Sequence, residues 1–331
     1  MRRIAAFLTA LLAAVAAAPA HAETRAEAKG WGYLVDKLVA DGVPRAKAES
    51  VFADDRMPRF DGLGFSLAPR EPSAMYRGFL RSNSVALARR CLASHEREFA
   101  AAETATGVPA SLVASIVFIE SACGRHTGST PILPRLARLG MANAPENLAA
   151  NLARYERSGT DPAAVRARAR YLEDLFYPEV RASFTLGERL GLDPLEIRGS
   201  EGGAFGYPQF LPSSYLRYGA DGDGDGQVSL YQMADAALSC GRYLADHGWT
   251  TARTHADRRH VIWWYNRSDP YIDTVLALSA RLDGDEPVEL VRASAKVTPK
   301  RRGRVAKRPA AKRHHAKSPT RTAKADGTPA L

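Results

Sequence analysis

Glu120 closes an apolar run, Leu112-Val113-Ala114-Ser115-Ile116-Val117-Phe118-Ile119. On a helix, Leu112, Ile116 and Glu120 stand at i, i+4 and i+8 and share one face. A carboxyl set against aliphatic packing is desolvated, which penalises its charged form and raises its pKa. That is the state a general acid needs at neutral pH. The pattern equally fits a Glu paired with an Arg, or one at a helix end whose carboxyl reaches water. A second candidate is Gly199-Ser200-Glu201-Gly202-Gly203-Ala204-Phe205-Gly206-Tyr207-Pro208-Gln209-Phe210-Leu211-Pro212. Its glycines let backbone approach a ligand, Gln209 both donates and accepts, and aromatics beside amides suit a sugar. No Gly-Lys-Ser/Thr follows, so it is not a phosphate loop; an ordinary Gly-rich connection is the alternative. A third is Asp221-Gly222-Asp223-Gly224-Asp225-Gly226-Gln227. Carboxylates at positions 1, 3 and 5, Gly at 6 and a backbone carbonyl at 7 form the first half of a calcium loop. The bidentate Glu usual at position 12 is replaced by Gln232. Without an ion the segment is an Asp/Gly turn.

The elements that must carry these groups read as helices. Residues 24–106 have Ala, Leu, Arg and Glu at helical spacing, interrupted around 57–72 by Pro, Gly and Phe. Gly107-Val108-Pro109 turns the chain into a helix over 110–121. Residues 129–198 are again helical, with loops near 131–134, 158–162 and 191–194. A helix follows over 232–247, and 261–282 supplies the last core element. A little extended structure is expected at 55–75 and 222–230. The fold class is mainly α.

Three cysteines, Cys91, Cys123 and Cys240, allow at most one internal pair. If the helix from Cys91 to about 105 and the helix over 110–121 form an antiparallel hairpin, residues equidistant from the turn meet. The midpoint of 91 and 123 is 107, so Cys91 and Cys123 meet at the open end, beside Glu120. Three buried thiols, or a pair that includes Cys240, are the alternatives.

Charge and composition bound the setting. The 331 residues are 45% apolar and 25% charged, a globular balance, with a net charge of +10. Residues 292–331 contribute +12 and have almost no large apolar side chain, so this basic tail is expected to be disordered. Residues 1–22 read as a signal peptide. Arg2 and Arg3 precede an apolar stretch at 4–18, and Ala20-His21-Ala22 fits small-x-small cleavage. An uncleaved anchor is the alternative. A periplasmic or secreted, soluble protein beginning at Glu23 is expected. Export argues against nucleic acid as the tail's partner and leaves anionic envelope polymers.

Three segments together are more specific. Glu120-Ser121-Ala122-Cys123-Gly124-Arg125, the stretch 199–215, and Tyr265-Asn266-Arg267-Ser268-Asp269-Pro270-Tyr271 resemble, in order and spacing, the lytic murein transglycosylase B family over about residues 30–285. The resemblance implies a lysozyme-like catalytic core with added helical segments. Its expected parts are an N-terminal helical portion at 23–90 and a transglycosylase domain at 91–291, followed by the tail. It makes Glu120 the single acid/base and places Ser200, Gln209, Asn266 and Tyr271 in a glycan cleft. His95 aligns with a cleft tyrosine. Asp235 closes a structural calcium site with Asp221, Asp223, Asp225 and the Gln227 carbonyl, and no cofactor is expected in catalysis. Peptidoglycan strands are the implied substrate, and a monomer is expected. Ser121 replaces the family's Thr and Cys123 its aromatic, while the charge of Glu201 has no evident role. A lysozyme-like muramidase, or a glycan-binding protein without activity, are the rival readings.

Overall fold

The computed structural model describes residues 23–284. Residues 1–22, where a signal peptide is expected, residues 285–291 and the basic tail at 292–331 lie outside the described residues. The chain divides into two compact units between Asp61 and Gly62. In the first, α1 (Arg25–Ala28), α2 (Gly32–Ala40) and α3 (Arg45–Ala53) gather around Trp31. The Trp31 ring lies 5.5 Å from Phe52 and 5.3 Å from Phe60, and its Nε1 donates to the Pro58 carbonyl at 2.8 Å.

The second unit opens irregularly, with 3-10 turns at Ser73–Met75 and Arg77–Leu80. Then come α4 (Ser82–Ser94), α5 (Glu96–Thr106), α6 (Ala110–Ser121), α7 (Ile132–Gly140), α8 (Pro145–Glu156) and the long α9 (Pro162–Leu190). After the Gly-rich stretch stand α10 (Pro212–Tyr218), α11 (Met233–Asp246), α12 (His255–Tyr265) and α13 (Asp269–Leu282). Strands β1 (Thr130–Pro131) and β2 (Arg198–Gly199) pair antiparallel, Thr130 opposite Gly199.

The hub is α6. It is apolar all round, as a helix buried on every side must be, and α4, α5, α11 and α13 surround it. Leu112, Val113, Ile116 and Val117 have no exposed surface. Each such side chain stabilises the fold by roughly 1.5–3 kcal/mol. Phe118 joins Val85, Ala88 and Leu278 in one cluster, so α4 is packed into this unit. The boundary expected at 90/91 therefore falls inside a packed unit, and the division lies at 61/62 instead.

Three further expectations change. The helix expected from Cys91 to 105 breaks at His95, whose φ of −127° and ψ of 33° leave the helical region. The axes of α5 and α6 differ by 120°, short of an antiparallel hairpin. No strand forms at 55–75 or 222–230; prolines and glycines there leave no run able to pair, and the ladder lies at 130–131 and 198–199. The last core element is two helices, because Asn266 adopts extended backbone and Ser268 caps α13. Among the described residues, no single helix is long and apolar enough to cross a membrane.

Candidate active site

Glu120 occupies the last turn of α6, half-buried among apolar neighbours. One of its oxygens, Oε1, accepts the Tyr271 hydroxyl at 2.6 Å. Tyr271 is 1% exposed and sits in the first turn of α13, where Ser268 Oγ accepts its backbone N–H. Burial pushes the Glu120 pKa up to about 7; the Tyr271 hydrogen bond pulls against that rise and the charge of Glu71 adds to it. The hydroxyl and thiol groups around it stay neutral. Burial and the Glu120 charge hold the Tyr271 hydroxyl well above its ordinary range. Burial likewise raises Tyr265 and pushes the free thiol of Cys240 up to about 12. A carboxyl of this kind carries a proton near neutrality and can give it up, as general acid and then base.

Beyond Glu120 the chain leaves the helix abruptly. Ala122, Cys123 and Gly124 have φ of 50°, 61° and 79°. For the two residues with a Cβ, left-handed backbone costs roughly 1 kcal/mol each. Covalent and polar ties hold the turn. Cys123 is bonded to Cys91 of α4, with Cα atoms 6.2 Å apart, and Cys240 is free and buried. The Cys91–Cys123 pair expected from the turn is thus present, although α4 and α5 are separate helices. Ser121 Oγ donates to the Val117 and Tyr207 carbonyls at 3.1 and 2.8 Å and accepts the Gly124 N–H at 2.9 Å. Its hydroxyl therefore joins the helix end to the Gly-rich stretch. Gly124 is required there, because a Cβ would lie 2.3 Å from the Tyr207 ring.

The Gly-rich stretch is a folded loop. Phe205 and Phe210 pair across it, and Ser200 N–H donates to the Ala204 carbonyl at 2.7 Å. Gln209 takes a left-handed φ of 50° and spends its Nε2 on the carbonyls of Thr127 (3.1 Å) and Gly206 (2.8 Å). Its Oε1 is thereby aimed by the backbone. Glu201 accepts Thr130 Oγ1 at 2.7 Å and Arg135 at 2.5 Å, which accounts for its charge: it fastens the loop to β1 and α7. Tyr265 donates to the Pro208 carbonyl. Asn266 lies between α12 and α13, one residue from Tyr265. His95 ends α4 with its ring 6.5 Å from Phe99, and none of the contacts described above joins it to Glu120. Tyr76 stands beside the site, edge-on to Tyr271 with ring centroids 5.8 Å apart. Tyr76 and Glu71 lie in the irregular stretch before α4, where no periodicity singles them out.

The Asp-rich loop is seated on the start of α11; a Cβ on Gly222 would lie 2.3 Å from the Ala234 carbonyl. Asp221, Asp223 and Asp235 bring carboxylate oxygens within 4.8 Å of one another. Asp235 is 1% exposed, with its two oxygens accepting the N–H groups of Gly222 (2.7 Å) and Ser229 (2.6 Å). Backbone N–H groups of Gly226 and Gly224 hold Asp221 below the usual carboxylate range. Asp225 lies outside this group of three and accepts the Gln227 N–H at 2.8 Å. Three converging carboxylates, one of them buried, fit a hard divalent cation.

The membrane-bound lytic murein transglycosylase B of Escherichia coli K12 is 34% identical to this chain over 143 residues, 43% of this chain and 32% of the relative. The match thus spans about a third of that protein's length. Among solved structures, the Escherichia coli lytic transglycosylase SLT35 in complex with bulgecin A superposes with a TM-score of 0.58 at 23% identity, over 76% of this chain and 92% of that one. The same enzyme in complex with calcium gives 0.56 at 22%, over 78% and 92%. Pseudomonas aeruginosa SltB3 in complex with NAG-anhNAM-pentapeptide gives 0.55 at 17%, over 80% of each chain. These likenesses establish a lysozyme-like transglycosylase fold. A model of the transglycosylase SLT domain matches residues 28–259, well over half of the sequence, and the chain belongs to that family.

Proposed function

We propose that the protein is a lytic transglycosylase of the bacterial envelope, cleaving the bond between N-acetylmuramic acid and N-acetylglucosamine in peptidoglycan. The observation that carries this reading is Glu120: a half-buried carboxyl with one tyrosine donor and a pKa near 7. Glu120 protonates the glycosidic oxygen as the C1–O bond breaks. As carboxylate it then takes the proton of the muramoyl 6-hydroxyl, whose oxygen bonds to C1 of the same sugar and leaves a 1,6-anhydro end. The nucleophile is part of the substrate, so attack is intramolecular and gains the advantage of proximity. A partner carboxylate of the kind a hydrolase uses is not required. Tyr271 fixes the carboxyl. Ser200, His95, Asn266 and the free Oε1 of Gln209 supply polar contacts to the glycan.

Mass spectrometry of peptidoglycan digested by wild type and by Glu120→Gln tests the assignment. Anhydro ends from the wild type and none from a folded variant are expected. Reducing muramic ends in their place identify a hydrolase, and sustained cleavage by the variant removes Glu120 from its role.

The Asp-rich loop binds calcium as a structural ion, through the carboxylates of Asp221, Asp223 and Asp235 with Asp225 and the Gln227 carbonyl completing the set. A ligand bound only by the folded state stabilises it by mass action. Chelator is expected to lower the melting temperature of the wild type and to leave that of Asp223→Asn unchanged. An identical melting curve with and without chelator in the wild type rejects the site.

A further inference from the structure

Glu71 lies ahead of the 3-10 turns, outside every segment that carries the family resemblance. Its Oε2 accepts the Tyr76 hydroxyl at 2.5 Å. The Tyr76 ring is buried and stands edge-on to Tyr271, with planes at 82°. Ser268 caps α13 by accepting the Tyr271 N–H. Tyr76 therefore reaches Tyr271 through its ring edge, and Tyr271 is the donor to Glu120.

The groups that act on Glu120 come from every side. Tyr271 belongs to α13, Tyr265 to the end of α12, Cys240 to α11, and Tyr76 and Glu71 to the segment before α4. Burial raises the four hydroxyl and thiol groups far enough that they are neutral at physiological pH. Glu71 is the charged member of the set, and a like charge nearby disfavours ionisation of Glu120.

We propose that Glu71 is a positioning residue for the acid: through Tyr76 it fixes the Tyr271 ring against Glu120, and its negative charge opposes a second negative charge there. This is distinct from a second catalytic carboxylate, because Glu71 is bound to Tyr76 and acts through it. The proposal rests on Glu120 being the acid of the proposed reaction.

Two substitutions separate the two effects. Glu71→Gln keeps an oxygen that accepts the Tyr76 hydroxyl and removes the charge; Tyr76→Phe keeps the ring and the charge and removes the tether. The readouts are the pH dependence of kcat and KM, and a carbon-13 NMR titration of the Glu120 carboxyl that needs no turnover. Rate falls as rising pH takes the proton from Glu120. Glu71→Gln is therefore expected to move both the NMR midpoint and the falling alkaline limb of kcat to lower pH. Tyr76→Phe is expected to lower the plateau severalfold with KM unchanged and the limb in place. A titration midpoint in Glu71→Gln that coincides with the wild type overturns the charge effect, and a wild-type plateau in Tyr76→Phe overturns the tether. A midpoint that moves while the limb stays fixed leaves the charge effect standing and tells against Glu120 as the acid.

Discussion

The two ends of α6 are built from the same apolar helix and bury polar groups to opposite ends. At the first turn, Ser111 Oγ lies 3.0 Å from Ser279 Oγ and 3.0 Å from Asp283 Oδ2. Ser115 donates back to the Ser111 carbonyl at 2.7 Å, and Ala110 N–H finds Glu103 Oε2 at 3.0 Å. Hydroxyls and backbone donors are matched there by hydroxyl, carbonyl and carboxylate partners. At the last turn a carboxyl with about four acceptor sites is held by a single tyrosine. Its charge is under-compensated, so its proton affinity rises. One end is satisfied by its neighbours; at the other, burial of a carboxyl that a single tyrosine holds raises its proton affinity.

Cutting the Cys91–Cys123 bond strikes only the reactive end. The two residues are 32 apart in sequence, and chain entropy gives such a cross-link about 3.5 kcal/mol. Replacing both by Ser is expected to lower the urea midpoint by a corresponding amount and to reduce turnover severalfold, since Ala122 and Cys123 lose the tie that holds their left-handed backbone. Unchanged turnover in a destabilised variant would detach the bond from the acid.

Glu120→Gln has a second, opposite effect on the fold. The folded-state pKa of about 7 lies above the ordinary value of 4.5. Below pH 4.5 both states hold the proton and the group is neutral to stability. Between those values the unfolded chain ionises first, so the wild type loses stability as pH rises, by at most about 3 kcal/mol. The amide avoids that loss. Denaturant titrations should find the variant more stable above pH 7 and equal to the wild type below pH 4.5.

Smaller changes sharpen the contrast. Tyr271→Phe removes the hydrogen bond that favours the Glu120 carboxylate, so the alkaline limb of activity is expected to move to higher pH, with about 1 kcal/mol of stability lost. Ser111→Ala, at the satisfied end, is expected to cost about 1 kcal/mol and to leave turnover and its pH profile unchanged. A shifted profile in Ser111→Ala would show that the two ends are not independent.

Where the chain is periodic, its sequence was sufficient to read it. The bounds of α6 and the place of Glu120 on its apolar face follow from spacing; the Cys91–Cys123 pair was one of several open pairings and is present although the antiparallel hairpin that suggested it does not form. Reading failed where position depends on partners distant in sequence. Tyr76 comes to stand beside Tyr271 from a stretch with no periodicity, and only the fold brings the two rings together. The strands at 130–131 and 198–199 are two residues each, too short to leave an alternating pattern. Glu201 had no visible purpose until Arg135 and Thr130 were brought to it by the fold.

The apolar surface that encircles α6 leaves one quantity open. An amphipathic helix is oriented by its stripe, but a helix apolar on every face packs nearly as well after turning about its own axis. One residue of slip turns it by 100° and advances it by 1.5 Å, enough to carry Glu120 away from Tyr271. Azimuth must therefore be set by pegs that have a direction. Ser111 against Ser279, Ser121 against the Tyr207 carbonyl, and the Cys123 sulfur against α4 are three such pegs at different heights. The aim of the acid is thus decided by the few polar and covalent contacts at the helix ends, and the core between them acts as a bearing.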